Sequence, residues 1–181
     1  ATAVAVARQL GKMVIVVKDK EGFIVNRILL PYMNEAAYLF QEGVDTKHLD
    51  DIVKRFGMPM GPIELADQIG LDVCLDVGVV LGIAPAAKTL LTEKCDAGTI
   101  GRKSGSGFYD WDGNRAIRPR QPQDAAIMAG IVKSMLAPMI DECQQAVDDG
   151  VVDSVDSADA GMIFGIGFPG FRGGPLNWAK S

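Results

Sequence analysis

The sequence predicts a mainly α-helical protein: two tandem helical-bundle repeats, led by a short helix and strand of α/β character. Three observations carry that reading. Apolar residues fill 48% of the 181 positions, enough to bury a sizeable core. Apolar segments of helical rather than alternating period, several of them closed by glycine, run from residue 22 to residue 150. The stretch "LPYMNEAAYLFQEGV" (30–44) also lies against "APMIDECQQAVDDGV" (137–151) without a gap, with Pro31 on Pro138, Glu35 on Glu142 and Gly43 on Gly150.

The elements follow in order. Residues 2–10 are alanine-rich, and Gly11 ends the run as a helix. "MVIVV" (13–17) is β-branched and unbroken, which suits a strand buried on both faces of a parallel sheet. Helix then buried strand is the tail of a βαβ unit, and no second convincing strand follows. The expectation is therefore a chain that starts inside the last turn of an α/β domain, residues 1–20. From Gly22 a long, nearly all-apolar helix runs to Gly43, its polar stripe formed by Arg27, Asn34, Glu35, Gln41 and Glu42, with Pro31 set to kink it. Thr46 can N-cap a second helix closed by Gly57. "IELADQIGLDVCLDVGVVLG" is one helix or two around Gly70, and "PAAKTLLTEKC" is a further short one. Residues 98–114 form a glycine-rich loop with an aromatic end, and "AIRPRQPQD" (116–124) reads as a linker between two compact parts. Another long helix containing Pro138 follows, then a short acidic helix and a second Gly-Pro turn. In this register Asp50 matches Asp156, Pro59 matches Pro169, and Gly61-Pro62 matches Gly174-Pro175. The repeats are assigned to 21–117 and 118–181.

Composition excludes several classes. The net charge is −5 and the 18 basic residues are scattered, against a nucleic-acid or anionic-membrane surface. No run reaches the roughly 18 apolar residues of a membrane helix, and the apolar N-terminus lacks the basic start of a signal peptide. Cys74, Cys95 and Cys143 are odd in number and outside CxxC spacing, as buried thiols of a reducing compartment are. A soluble, cytoplasmic protein is expected.

Four features invite chemistry. "GIGFPG" (165–170) spells the dinucleotide fingerprint, but a helix precedes it and no helix opens after it, so a false match is expected. "GRKSGSGF" (101–108) could cradle a phosphate with Arg102 and Lys103, or could be a turn-rich loop whose Phe108, Tyr109 and Trp111 pack on the bundle. His48, the single histidine, stands in a polar, solvated position with no partner at metal-ligand spacing. Asn26 lies off the polar stripe, with Leu29, Leu30 and Met33 as its helical neighbours. It is either a buried amide tied to a neighbouring backbone or a group pointing into a substrate cleft. Arg27 reads as a structural ion-pair member.

The order "VIVVKDKEGFIVNRILLPYMNEA", "EGV", "DIVKRFGMPMGPIELADQIGLD", with "IGRKSGSGFYDW" beyond it, resembles the C-terminal part of the NAD-dependent (3S)-3-hydroxyacyl-CoA dehydrogenases. The second unit, ending "GFPGFRGGPLNW", resembles the multifunctional β-oxidation enzymes, which carry two such repeats; single-repeat members pair these helices across a dimer. The resemblance implies a bundle like the C-terminal domain of 6-phosphogluconate dehydrogenase, behind a Rossmann domain that holds NAD. It implies that Asn26 faces the acyl-CoA beside a histidine–glutamate pair lying upstream of Ala1, a role His48 does not match. No cofactor-binding or metal-binding residue is expected in this chain, and alone it is expected to be inactive. The implied partners are the acyl-CoA, the chain's own Rossmann domain, and a homo-oligomer or β-oxidation complex. The alternative is a non-catalytic helical module for oligomerisation or docking.

Overall fold

The structure, a computed structural model, describes residues 2–117 and 125–181; most of the expected linker falls outside them. It is mainly helical: α1 Thr2–Gln9, α2 Val25–Gln41, α3 Thr46–Phe56, α4 Pro62–Ile69, α5 Leu71–Leu81, α6 Pro85–Asp96, a hairpin of β1 Asp110–Asp112 and β2 Arg115–Ile117, then α7 Ala125–Asp148, α8 Val155–Ile166 and α9 Pro175–Trp178.

Helix ends follow local chemistry. Asp45, one residue before the expected Thr46, caps α3 by accepting from the Lys47 N–H at 2.9 Å. Gly57 closes α3 at φ 121°, an angle costly to any residue with a Cβ. Proline opens α4, α6 and α9, where no N–H is needed. The sequence between Pro62 and Leu81 makes two helices, broken at Gly70. Both α2 and α7 run continuously through their prolines.

The centre of the molecule is α2 against α7. Ile28, Tyr32 and Ala36 form the buried stripe of α2, and Met135, Met139 and Cys143 that of α7. Each of these pairs is separated by 107 residues, the offset of the gapless sequence match. Polar contacts obey the same offset. Arg27 is ion-paired with Glu142, while Ser134 donates to Glu35 at 2.6 Å, so each helix offers the same two positions to the other. This is the pattern of a self-complementary interface, here within one chain. One continuous core unites both sides, from Ile24 to Leu176, where the sequence suggested two compact parts joined by a linker.

The Gly-Pro turns also face each other. A Cβ at Gly57 would stand 2.9 Å from Pro169, and one at Gly167 would stand 2.6 Å from Pro59. Under each turn lies a buried carboxylate. Asp50 accepts from the Ile63 and Glu64 N–H groups at 2.9 and 3.0 Å, and Asp159 from those of Leu176 and Asn177 at 2.8 and 3.1 Å. The counterpart of Asp50 is thus Asp159, not Asp156. The α7–α8 connection is two residues longer than α2–α3, measured between the caps Asp45 and Ser154, and this shifts the match.

Two other expectations change. Residues 13–17 are extended but join no sheet; Ile15 and Val17 pack on the core, and the Lys18 N–H reaches the Val151 carbonyl at 2.9 Å. A β-branched run becomes a ladder strand only beside a neighbour, and none of the described residues runs alongside it. Conversely, the loop's end folds into the β1–β2 hairpin, with Gly113 at φ 58° opening the turn.

Candidate functional site

A cavity of about 190 Å³ opens between α2, α4, α5 and α6, with Phe108 in its wall. Its lining is almost wholly apolar. Leu29, Leu30 and Met33 come from α2, Val77 from α5 and Leu91 from α6. Among the described lining residues the amides are Asn26 and Asn34. Asn34 is committed, accepting from the Ala84 N–H at 3.2 Å. Asn26, in the first turn of α2, is exposed at the mouth. The preceding turn is unusual: Gly22 at φ 72° is followed by Phe23 at φ 50°, the described non-glycine residue with positive φ, and Phe23 is itself exposed.

Of the two readings left open for Asn26, the buried amide is excluded by its exposure. Its apolar helical neighbours line an open cavity instead of packing into the core, so the amide stays in contact with solvent. Arg27 holds Glu142 and, at 2.7 Å, Asp149; it clasps α2 to α7. Hydrogen bonding to Arg27 holds the Asp149 carboxyl below the usual carboxylate range.

The glycine-rich loop takes its structural reading. Arg102 donates to Asn114 and Lys103 pairs with Asp72. The N–H groups of Gly101, Ser104, Gly105 and Gly107 bond within the loop, and those of Phe108 and Tyr109 bond to Asp67 on α4, each at 2.9 Å. Sequence reasoning missed Asp67. Fully buried, it also accepts from the Trp111 indole at 3.0 Å. Tyr109 links the two carboxylates, its N–H on Asp67 and its hydroxyl on Asp50 at 2.8 Å. This network fixes Phe108 in the cavity wall, braced edge-on by Phe40 at 5.7 Å. Tyr32 is a further buried polar residue; burial and then the Asp50 charge push its hydroxyl well above the usual range. Cys74, at the cavity, is pushed up to about 11 chiefly by burial, so its thiol is inert at neutral pH. His48 is half-buried in the first turn of α3.

Residues 165–170 do not fit a dinucleotide. The segment is the end of α8, and Gly167 at φ 74° caps that helix against Pro59. The N–H groups of Gly167 and Phe168 already bond to the Ile163 and Met162 carbonyls.

Comparison with known proteins decides the family. Residues 22–111 match the model of the 3-hydroxyacyl-CoA dehydrogenase C-terminal domain. The chain belongs to the 3-hydroxyacyl-CoA dehydrogenase family. It is 40% identical to the fatty acid oxidation complex subunit alpha of Shewanella sp. (strain MR-7), over 98% of this chain and 28% of that protein. A Pseudomonas aeruginosa protein of the same description is 36% identical over 100% and 28%. The chain therefore spans little more than a quarter of these relatives. Among solved structures, the dehydrogenase part of multifunctional enzyme 1 from C. elegans matches with TM-score 0.69 and 25% identity, over 93% of this chain and 42% of that one. An Escherichia coli 3-hydroxybutyryl-CoA dehydrogenase matches with TM-score 0.78 at 20% identity, over 97% and 56%, a likeness of fold. Within the dehydrogenase family, the cavity and Asn26 lie inside the matched span.

Proposed function

We propose that this chain forms the helical side of the substrate cleft in a longer enzyme that oxidises (3S)-3-hydroxyacyl-CoA to 3-oxoacyl-CoA with NAD in fatty-acid β-oxidation. The supporting observation is Asn26: an exposed amide with no side-chain hydrogen bond among the described residues, at the mouth of an apolar cavity. An amide there can donate to or accept from the oxygen at substrate C3 while the cavity takes apolar substrate. In this reading NAD and the histidine–glutamate pair are supplied by another part of the longer enzyme. Residues 1–20 are proposed to end its Rossmann domain, with 21–117 and 118–181 as the two repeats. The proposed location is the cytoplasm, and among the described residues no helix is long and apolar enough to cross a membrane.

The test is Asn26→Ala in the complete enzyme, assayed by NADH-dependent reduction of acetoacetyl-CoA. Turnover should fall about 10²-fold or more, as on removal of one hydrogen-bonding group from a reacting oxygen, with assembly unchanged on size exclusion. The 181-residue chain alone should give no such reduction. A second reading, a docking module, is favoured by Phe164 and Phe171, 64% and 79% exposed near the second turn. If Asn26→Ala breaks assembly while turnover per folded molecule stays normal, the docking reading replaces the first.

A further inference from the structure

We propose that Glu142 and Asp149, on the second side of the molecule, position Asn26 for the reaction by holding Arg27. The inference rests on the dehydrogenase reading above and adds positioning residues that are not among those lining the cavity. It starts from a weakly closed helix entry. The cap position of α2 holds Ile24, whose side chain makes no hydrogen bond, and the first turn carries no acid. Gly22 and Phe23, both at positive φ, precede it. At its third position, where a capping box places Glu or Gln, α2 carries Arg27. A cation there opposes the helix dipole, so this turn needs a partner from outside. Ile24 and Ile28 anchor one side of the turn in the core; α7 holds the other.

The hold is specific. Glu142 accepts from the Arg27 Nε–H, and Asp149 accepts from Nη2 at 2.7 Å. The two acids stand seven residues apart, about two turns along one face of α7. Gln145, between them, donates to Asp149 at 2.8 Å. Arg27 and Glu142 are half-buried, which strengthens their attraction over that of a fully exposed pair. Successive residues of a helix point about 100° apart. With Arg27 held against α7, Asn26 is turned to the cavity mouth. The other polar contact of the helix pair is the natural control. By the 107-residue offset, Ser134 donating to Glu35 at 2.6 Å is the counterpart of Arg27 donating to Glu142. It ties the same two helices, but about two and a half turns along α2 from Asn26.

The experiment measures kcat and KM of the complete enzyme in NADH-dependent reduction of acetoacetyl-CoA. A displacement of 1 Å at a reacting group can cost about 10²-fold. Glu142→Ala, which loosens the turn while Ile24 and Ile28 still anchor it, should lower kcat about tenfold. KM should stay within about twofold, because the amide acts on the reacting oxygen. Ser134→Ala should leave kcat unchanged. Glu142→Gln keeps an acceptor for the Arg27 Nε–H, and should recover turnover to within about threefold of the parent enzyme. The deciding variant is the double one: on the Asn26→Ala background, Glu142→Ala should lower kcat no further, because its effect runs through that amide. If Glu142→Ala does not assemble, Arg27→Lys makes the same comparison. A lysine cannot span both carboxylates, and should lower kcat at least about threefold in the parent enzyme and not at all on the Asn26→Ala background. Equal kcat in Glu142→Ala and Ser134→Ala, or a full further loss on the Asn26→Ala background, overturns the proposal while the dehydrogenase reading stands. Normal turnover in Asn26→Ala overturns both.

Discussion

The two sides of the molecule repeat one construction and differ in what is added to it. On each, a long proline-containing helix leads to a capped helix, a glycine with positive φ, and a Gly-Pro turn whose N–H groups rest on a buried aspartate. On the first side α4, α5, α6 and the aromatic hairpin follow the turn, and the cavity lies among them. On the second side the turn gains a short 3-10 segment, 170–172, and closes in α9 against Phe56 and Phe168. At the position 107 residues beyond Asn26 stands the exposed Lys133, which is not among the residues lining the cavity. A shared scaffold therefore does not make a shared site: the first side carries the opening, and the second supplies the surface that holds α2 in place.

That comparison breaks most readily at the buried carboxylates. Asp50→Ala removes the acceptor of two N–H groups and of the Tyr109 hydroxyl, and should cost about 3 kcal/mol or more. In a chain of this size that lowers Tm by about 6–12 °C. Asp159→Ala strands two N–H groups and the partly exposed Asn177 amide, and should cost about 2 kcal/mol. Equal losses in thermal melts would mean that the Tyr109 link adds nothing.

The facing turns come next. Gly57→Ala and Gly167→Ala each put a Cβ on a positive φ and against the opposite proline, and each should cost about 1–3 kcal/mol. Because the two turns touch, the double variant should lose less than the sum of the singles in denaturant titrations. Strict additivity would separate the two turns.

The smallest effect belongs to the Arg27 clasp. Arg27 depresses the Asp149 carboxyl, so the folded form takes up that proton at lower pH than the unfolded form. The contribution is present above the unfolded value of about 3.9 and is lost as pH falls through the folded value. Arg27→Met should therefore lower Tm slightly at neutral pH and flatten its fall between about pH 5 and 3. An unchanged acid slope would remove Arg27 from the acid response.

Most helices were legible because their caps and punctuating glycines and prolines are local. The offset of 107 residues was legible for the same reason: it spans an uninterrupted helix. Asp159 was not, since two added residues before α8 slide the pattern and only the N–H groups of Leu176 and Asn177 reveal the pairing. Residues 13–17 are extended as a strand would be, but a strand pairs only beside a neighbour, and none of the described residues supplies one. The hairpin was overlooked although Asp112-Gly113-Asn114 is a turn signal between two short runs. Asn26 was recognised as out of place among apolar neighbours, but a helical wheel cannot tell an open cavity from a packed core. Asp67 gave no local signal, because its partners lie about forty residues on, in the loop it organises.

The most direct test of the account is a paired substitution in the complete enzyme, Asn26→Ala against Lys133→Ala, with acetoacetyl-CoA reduction as the readout. The account predicts a loss of about 10²-fold or more in turnover for the first and no change for the second, with both assembling normally. Equal effects of the two, or normal turnover in Asn26→Ala, would contradict it.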